Sequence, residues 1–454
     1  MVFGFTKELI INIITICKFY WRILRIFGWR TERENEEYDT MPAWIGLWKK
    51  TGNGCTIQAM YLSKLACACE ANVLQVLEAR RAQLAAQGAD IINLSAGTPD
   101  RPPAPHIMQA VCEAAPNPLN YKYTLIDPPA LVDAVRGWYG RRYGVEIAAG
   151  EMLPIYGSQE GFAHVFHALC DPGDLVIVGT PGYPVFSFGP RMAGAQVYRT
   201  PLLPENGFLI DFDAIPPDIA RSARVIVACY PSNPLGAVAN RDFYERLVAF
   251  AKRYGIAVIH DNAYSELVHD GEPGGSFLAT PGAKDVGIEF NSLSKSYNIT
   301  GLRISFALGN RDIIGAFRKL RSNIDYGLSA IDYAAAIAAL TGPQDTVAEN
   351  RAAYRERRDA FCAALAKNGW DVPMTPASMF TWFPMPASGM SSESFCMDLL
   401  EKAHVICVPG SSFGEGGEGW LRFALTQPPE RLKEAAARIG KYLKSGESVR
   451  GNPS

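Results

Sequence analysis

The 454-residue sequence is poor in the features that mark several large classes of protein. Its 44 basic and 46 acidic residues leave a net charge of −2, so it lacks the basic surplus that a nucleic-acid partner requires. Ten cysteines stand at 17, 55, 67, 69, 112, 170, 229, 362, 396 and 407, with no CxxC pair and no histidine at metal-ligand spacing. That scatter speaks against a zinc site and a disulfide framework, and suits buried thiols in a reducing compartment. Cys67 and Cys69 form the one close pair and read as an apolar helix face. No internal repeat or low-complexity tract occurs. No uninterrupted apolar run reaches the roughly 20 residues that a bilayer-spanning helix needs, and no small-residue cleavage site follows the first apolar stretch. What is present is 48% apolar and 20% charged, enough to fill large cores in more than one compact unit. An enzyme acting on small molecules is the expectation, with cytoplasmic location.

The first third of a hundred residues differs from the rest. Residues 9–29 are almost wholly apolar or aromatic, but Lys18, Arg22 and Arg25 interrupt them and fall on one helical face with Lys7. Residues 7–29 therefore read as an interfacial amphipathic helix with weak peripheral membrane association. A tail, a helix packed on the protein's own body, and translated upstream sequence outside the working protein account for the same pattern. Residues 31–40 carry five acids and read as a linker, and acidity there argues against an organelle transit peptide.

From residue 60 the pattern is that of a folded α/β chain. Helical periodicity covers 74–86, with Gly88 as its stop, then 130–143, 162–170 and 243–254. Short apolar runs bounded by turn residues predict strands over 174–179, 225–230, 257–260 and 304–309. Further helices are expected over 318–326, 330–340, 346–368 and 394–403, and strands over 376–382 and 420–424. Alternating strand, polar turn and helix is how parallel sheets place ligand groups at the carboxyl ends of their strands, where Asn233, Asp261 and Tyr264 would converge.

Chemistry enters with the stretch from Asn291 to Arg303. Lys295 stands among small hydroxyl residues before an apolar strand, and Arg303 follows eight residues later. A lysine there is desolvated, which lowers its pKa and makes it usable as a nucleophilic amine. Asp261 ends an apolar strand, where a carboxylate is costly without a cationic partner; a helix cap is the alternative. Gly157-Ser158-Gln159 opens an apolar helix, whose free N–H groups and dipole suit a phosphate, although a plain cap by Ser158 explains the same turn. Arg422 lies inside an apolar strand, so a fixed anion should meet its planar fork, either a substrate carboxylate or a structural partner.

Ser292-Leu293-Ser294-Lys295 with Arg303 resembles the lysine segment of the class I/II aminotransferases, fold-type-I enzymes that use pyridoxal 5′-phosphate. The other motifs follow in that family's order from about Tyr61 to Lys444. Residues 294–301 and 322–327 look most like the LL-diaminopimelate, alanine and aspartate aminotransferase-like branch. The resemblance implies a large domain with a mostly parallel, mixed seven-stranded sheet between helices, plus a smaller α+β domain. It implies an N-terminal extension over 1–59, an arm over 60–105, a large cofactor-binding domain over 106–340, a small domain over 341–446 and a tail over 447–454. It implies that Lys295 carries the cofactor as an imine and shuttles a proton, that Asp261 faces the ring nitrogen, and that Asn233 and Tyr264 donate to the ring oxygen. Gly157, Ser158, Gln159, Ser292 and Arg303 would hold the phosphate and Tyr183 would stack on the ring. Gly97, Asn233 and Arg422 would meet the substrate. No metal is implied. The substrates would be an α-amino acid and a 2-oxo acid, and the protein a homodimer with active sites at the subunit interface. Tyr123, or alternatively Tyr121, would reach the partner's cofactor phosphate; Asp127-Pro128-Pro129 departs from the family pattern next to it. A lyase or decarboxylase would use the same residues, and a non-catalytic cofactor-binding protein is the third reading.

Overall fold

The computed structural model describes residues 48–51, 54–57, 63–67, 73–386 and 388–445. By packing, the chain divides into residues 1–70 and 71–454. In the first unit, Trp48–Thr51 pairs antiparallel with Gly54–Ile57, and Lys64–Cys67 forms one helical turn. The amphipathic segment 7–29 and the linker 31–40 lie outside the described residues. Among those described, no helix is long and apolar enough to cross a membrane.

The second unit is built on a seven-stranded sheet. In chain order its strands are β1 (Met152–Ile155), β2 (Leu175–Thr180), β3 (Gln196–Pro201), β4 (Ala223–Cys229), β5 (Ala257–Asp261), β6 (Gly287–Ser292) and β7 (Ser305–Gly309). Their spatial order is β1-β7-β6-β5-β4-β2-β3, and only β7 runs antiparallel to its neighbours. Residues along each strand alternate between two cores, as a period of two requires. Val225 and Val227 face one side with Phe162, Val165, Ile314 and Phe317. Ile226 and Ala228 face the other with Trp138, Phe243, Leu247 and Ala336. Helices thus cover both faces, which explains why the strands read as unbroken apolar runs.

A third core gathers Leu77 and Leu84 of helix Val73–Ala86 with Phe361 of helix Asp345–Lys367, Leu399 of helix Ser392–Ala403 and Leu432 of helix Pro429–Lys444. These pack on a three-stranded antiparallel sheet of Phe380–Pro384, Trp420–Ala424 and Val408–Pro409.

Two expected elements are displaced. The helix expected over 318–326 runs over Arg311–Arg321, opened by Asn310, whose side chain accepts from Asp312 N and Ile313 N. It stops because Asp325 turns back, accepting from the Arg321 guanidinium at 2.7 Å and from Gly327 N at 2.9 Å. The strand expected over 376–382 starts at Phe380, because Ser378 adopts φ +80° and its Oγ accepts from Phe380 N. The cysteines are also less uniformly buried than expected: Cys67 and Cys112 are exposed, whereas Cys362, Cys396 and Cys407 are buried.

One buried polar cluster lies between the strands. Glu289 on β6 is fully buried and accepts from Tyr139 OH at 2.9 Å, Ser276 Oγ at 2.8 Å and Phe277 N at 2.8 Å, with His260 Nδ1 at 3.0 Å. Removing one member of such a cluster strands the others in a medium without water. Glu289→Leu should therefore destabilise the protein by about 3 kcal/mol, read as a lowered midpoint of thermal unfolding. An unchanged midpoint would show the cluster to be energetically idle.

Candidate active site

Because β1, β2, β4, β5 and β6 are parallel, their carboxyl ends share one edge of the sheet, and antiparallel β7 begins there, Ser305 being paired with both Ile155 and Ser292. The turns leaving that edge carry Gly157 to Gln159, Tyr183, Asn233, Asp261 to Tyr264, and Ser292 to Lys295. Arg303 precedes β7 at the same edge. Phe380 comes from the third core, Arg422 from the strand Trp420–Ala424 beside it, and Phe413 from the turn Gly410–Phe413. Together they line a cavity of about 570 Å³ that also takes in Glu78, Asn93, Ser95 and Gly97.

Lys295 sits in the single helical turn Leu293–Ser296, which Ser292 caps by accepting from Ser294 N at 3.2 Å. Its ammonium donates to Gly97 O at 2.5 Å. Burial, then the nearby cations Arg303 and Arg422, push its pKa down to about 8.

Asp261 ends β5. Burial pushes its carboxyl up to about 7. Its Oδ2 accepts from the Cys229 thiol at 3.8 Å, while the buried Oδ1 has no partner. It does not cap the short helix that follows, Ser265–Leu267, which has no side-chain cap. Tyr264, also buried, has its phenol held well above the usual range by burial, and accepts from Asn233 Nδ2 at 3.5 Å.

Arg422 is buried and donates to Asn233 Oδ1 at 3.1 Å and Ser95 O at 3.2 Å. Its guanidinium lies 4.0 Å from the Phe380 ring centre and 4.9 Å from that of Phe413, Nε has no partner, and burial lowers its pKa to about 10. Among the described residues no carboxylate pairs with it, so the structural ion pair considered from the sequence is not made.

Arg303 and the start of helix Ser158–Leu169 meet at another corner of the cavity. Helix Ser158–Leu169 starts at Gly157, whose φ of +90° excludes most side chains, and a Cβ there would lie 2.4 Å from Arg303 Nη2. Arg303 itself has φ +53° and donates to Thr300 O at 2.9 Å and Tyr156 O at 3.4 Å. Ser158 Oγ lies 3.4 Å from Ser305 Oγ, and Tyr183 OH donates to Gln159 Oε1 at 3.0 Å.

Every site residue expected from the sequence lines this cavity except Tyr123. Tyr123 is 78% exposed, edge-on to Tyr326 at 5.0 Å, and Tyr121 is also exposed, donating to Ala115 O. The structure adds Glu78, Ser294, Phe380, Ser412 and Phe413. Ser294 was within the lysine motif and Phe380 within the strand expected over 376–382.

Residues 89–439 match the family model described as aminotransferase class I and II. The LL-diaminopimelate aminotransferase of Dehalococcoides mccartyi strain 195 is 43% identical over 363 residues, covering 80% of this chain and 93% of that protein. That of Moorella thermoacetica is 45% identical over 370 residues, covering 81% and 94%. Among solved structures, substrate-bound BacF of Bacillus subtilis superposes with a TM-score of 0.82 at 35% identity, covering 85% of this chain and 98% of that one.

Proposed function

The chain belongs to the class I and II aminotransferases, pyridoxal 5′-phosphate enzymes that move an amino group between an amino acid and a 2-oxo acid, and from that premise we propose that the cavity around Lys295 is where it does so. The observation that carries the proposal is Asp261 Oδ1, buried without a partner in the cavity that holds Lys295. A buried carboxylate of this kind calls for a cation opposite it, and a protonated pyridine nitrogen is one.

The remaining residues fit the cofactor. Lys295 is the amine that would hold it covalently, and Asn233 and Tyr264 offer donors for its ring oxygen. The helix N-terminus at Ser158 and Gln159, with Ser292 and Arg303, suits its phosphate. Tyr183 offers a ring face. When bound, pyridoxal 5′-phosphate supplies the electron sink that accepts the electrons left as the substrate's Cα–H proton departs.

The protein's own part is to bind, orient and move that proton. Arg422 presents Nε and the outer edge of its fork to the substrate's α-carboxylate, and Phe380 and Phe413 keep water from that ion pair. With a pKa near 8, Lys295 is easily reached as a free amine at neutral pH, and a free amine can take the proton at Cα and return it one atom away. Gly97, with no side chain, leaves room beside Lys295; a Cβ there would already press Phe380 at 3.1 Å.

Donors of the diaminopimelate type are our proposal for the substrate, supported by the names of the relatives above. A homodimer is likewise proposed. Leu119, Tyr121, Tyr123, Leu125, Ile126 and Tyr326 form an exposed apolar patch, up to 82% exposed at Ile126, of the kind that a second copy covers. In such a dimer Tyr123 is available to the neighbouring site, since it has no place in its own. We also propose the division of the chain at residues 59, 105, 340 and 446; Leu84, Ile92 and Leu94 pack in one core with Phe361 and Leu432, which supports an arm joined to the small domain.

A screen of amino donors against 2-oxo acid acceptors tests the assignment, with transfer to 2-oxoglutarate and a donor-dependent change in absorbance as the expected result. Arg422→Met separates the carboxylate role. It should raise KM for amino-acid donors by about 10²-fold while leaving simple amine donors, which have no carboxylate, unaffected. Equal losses on both kinds of donor would remove Arg422 from substrate binding.

A further inference from the structure

We infer that Glu78 selects donors whose side chain carries a second ammonium group. This rests on the aminotransferase reading above and adds to it a residue that sets the donor's class. The cavity is lined by three cations, Lys295, Arg303 and Arg422, and by two acids, Asp261 and Glu78. Lys295, Arg303, Arg422 and Asp261 meet the cofactor or the donor's α-carboxylate in the proposed function. Glu78 is left over, and an acid beside a cavity that already favours anions serves a cationic part of the substrate.

Its position is fixed although its head group is open to water. Leu77, next to it on helix Val73–Ala86, is 1% exposed and packs in the third core. Arg80, two residues on, forks onto Glu401 of helix Ser392–Ala403, with Nη2 2.9 Å from Oε2. The helix is therefore held by both neighbours of the carboxylate, and Glu78 faces the cavity from a rigid element. Its present partner is Arg81, at 2.5 Å with spacing i,i+3 on the exposed face. Such a surface pair is weak and is readily shared with an incoming ammonium.

The test uses the full chain loaded with pyridoxal 5′-phosphate and two donors of equal length, LL-diaminopimelate and L-2-aminopimelate, which differ by the distal amino group. The unaltered protein should prefer the diamino donor by about fivefold or more in kcat/KM, and Glu78→Gln should abolish that preference through KM while leaving L-2-aminopimelate within about twofold. Glu78→Lys should turn the preference towards L-2-aminopimelate. A preference kept in Glu78→Gln, an equal loss on both donors, or no discrimination in the unaltered protein would each overturn the inference. Failure of the unaltered protein to transaminate any donor would instead count against the proposed function.

Discussion

Lys295→Ala should lower transamination by about 10⁴-fold or more, because one side chain is both the covalent anchor and the proton carrier. The expectation follows from where the amine sits. It is withdrawn from water at the sheet edge, its only hydrogen-bond acceptor among the described residues is Gly97 O, and two guanidiniums share its cavity. Burial first, then the two guanidiniums, disfavour the ammonium form and bring the pKa from 10.5 to about 8. At pH 7 roughly a tenth of the amine is then neutral, against less than a thousandth for an ordinary lysine. The rate at which the cofactor-free protein takes up pyridoxal 5′-phosphate should therefore rise with pH and level off above about 8.

The same shift has a thermodynamic sign. Between pH 8 and 10.5 the unfolded chain holds a proton on this lysine that the folded chain does not, so the stability of the cofactor-free protein rises across that window. Lys295→Ala removes the slope along with the activity. Melting curves at several pH values, recorded beside uptake rates, check both. A variant that still transaminates at the wild-type rate would dismiss the assignment.

The alternation of buried strands with amphipathic helices was legible because helices cover both sheet faces, leaving strands such as β4 as runs of Val, Ile and Ala. Most site residues, Asn233, Asp261 and Tyr264 among them, stand at or just beyond the carboxyl end of a strand, where side chains cease to pack and begin to meet ligands. The roles of Arg303 and Arg422 came from the family resemblance. What stayed hidden has physical causes. Phe380 opens an apolar strand and Phe413 stands in a Gly- and Ser-rich loop, and nothing local in either place tells that the two rings flank Arg422. Glu289 looks like any acid near a surface until Tyr139, Ser276 and His260 are brought round it from 150, 13 and 29 residues away. Glu78 lies on the helix expected over 74–86, where periodicity alone does not tell a charged residue facing a cavity from one facing solvent. The late start of the strand at Phe380 depends on Ser378 adopting a positive φ, which serine seldom does. Tyr123 is the residue whose expected role needs a second copy of the chain.

Asp261→Asn should produce opposite changes in activity and in stability, and that opposition is what identifies the residue's work. Burial lifts the carboxyl from 3.8 to about 7, and only a weak thiol donor and one backbone N–H offset it. Between those values the folded, cofactor-free protein holds a proton that the unfolded chain has lost. Its stability therefore falls as pH rises through the window, and above pH 7 the full cost of a buried, unpaired charge is present. Asparagine keeps the shape and carries no charge, so cofactor-free Asp261→Asn should melt at a higher temperature than the unaltered protein above pH 7 and should lack the slope. Turnover should fall by about 10²–10³-fold, because a neutral amide cannot hold a proton on the ring nitrogen as a desolvated carboxylate does. With cofactor bound, the unaltered protein should no longer lose stability between pH 4 and 7, since the carboxylate then faces a cation. A residue kept for stability would lose both properties together on substitution; one kept for its charge loses activity and relieves the fold.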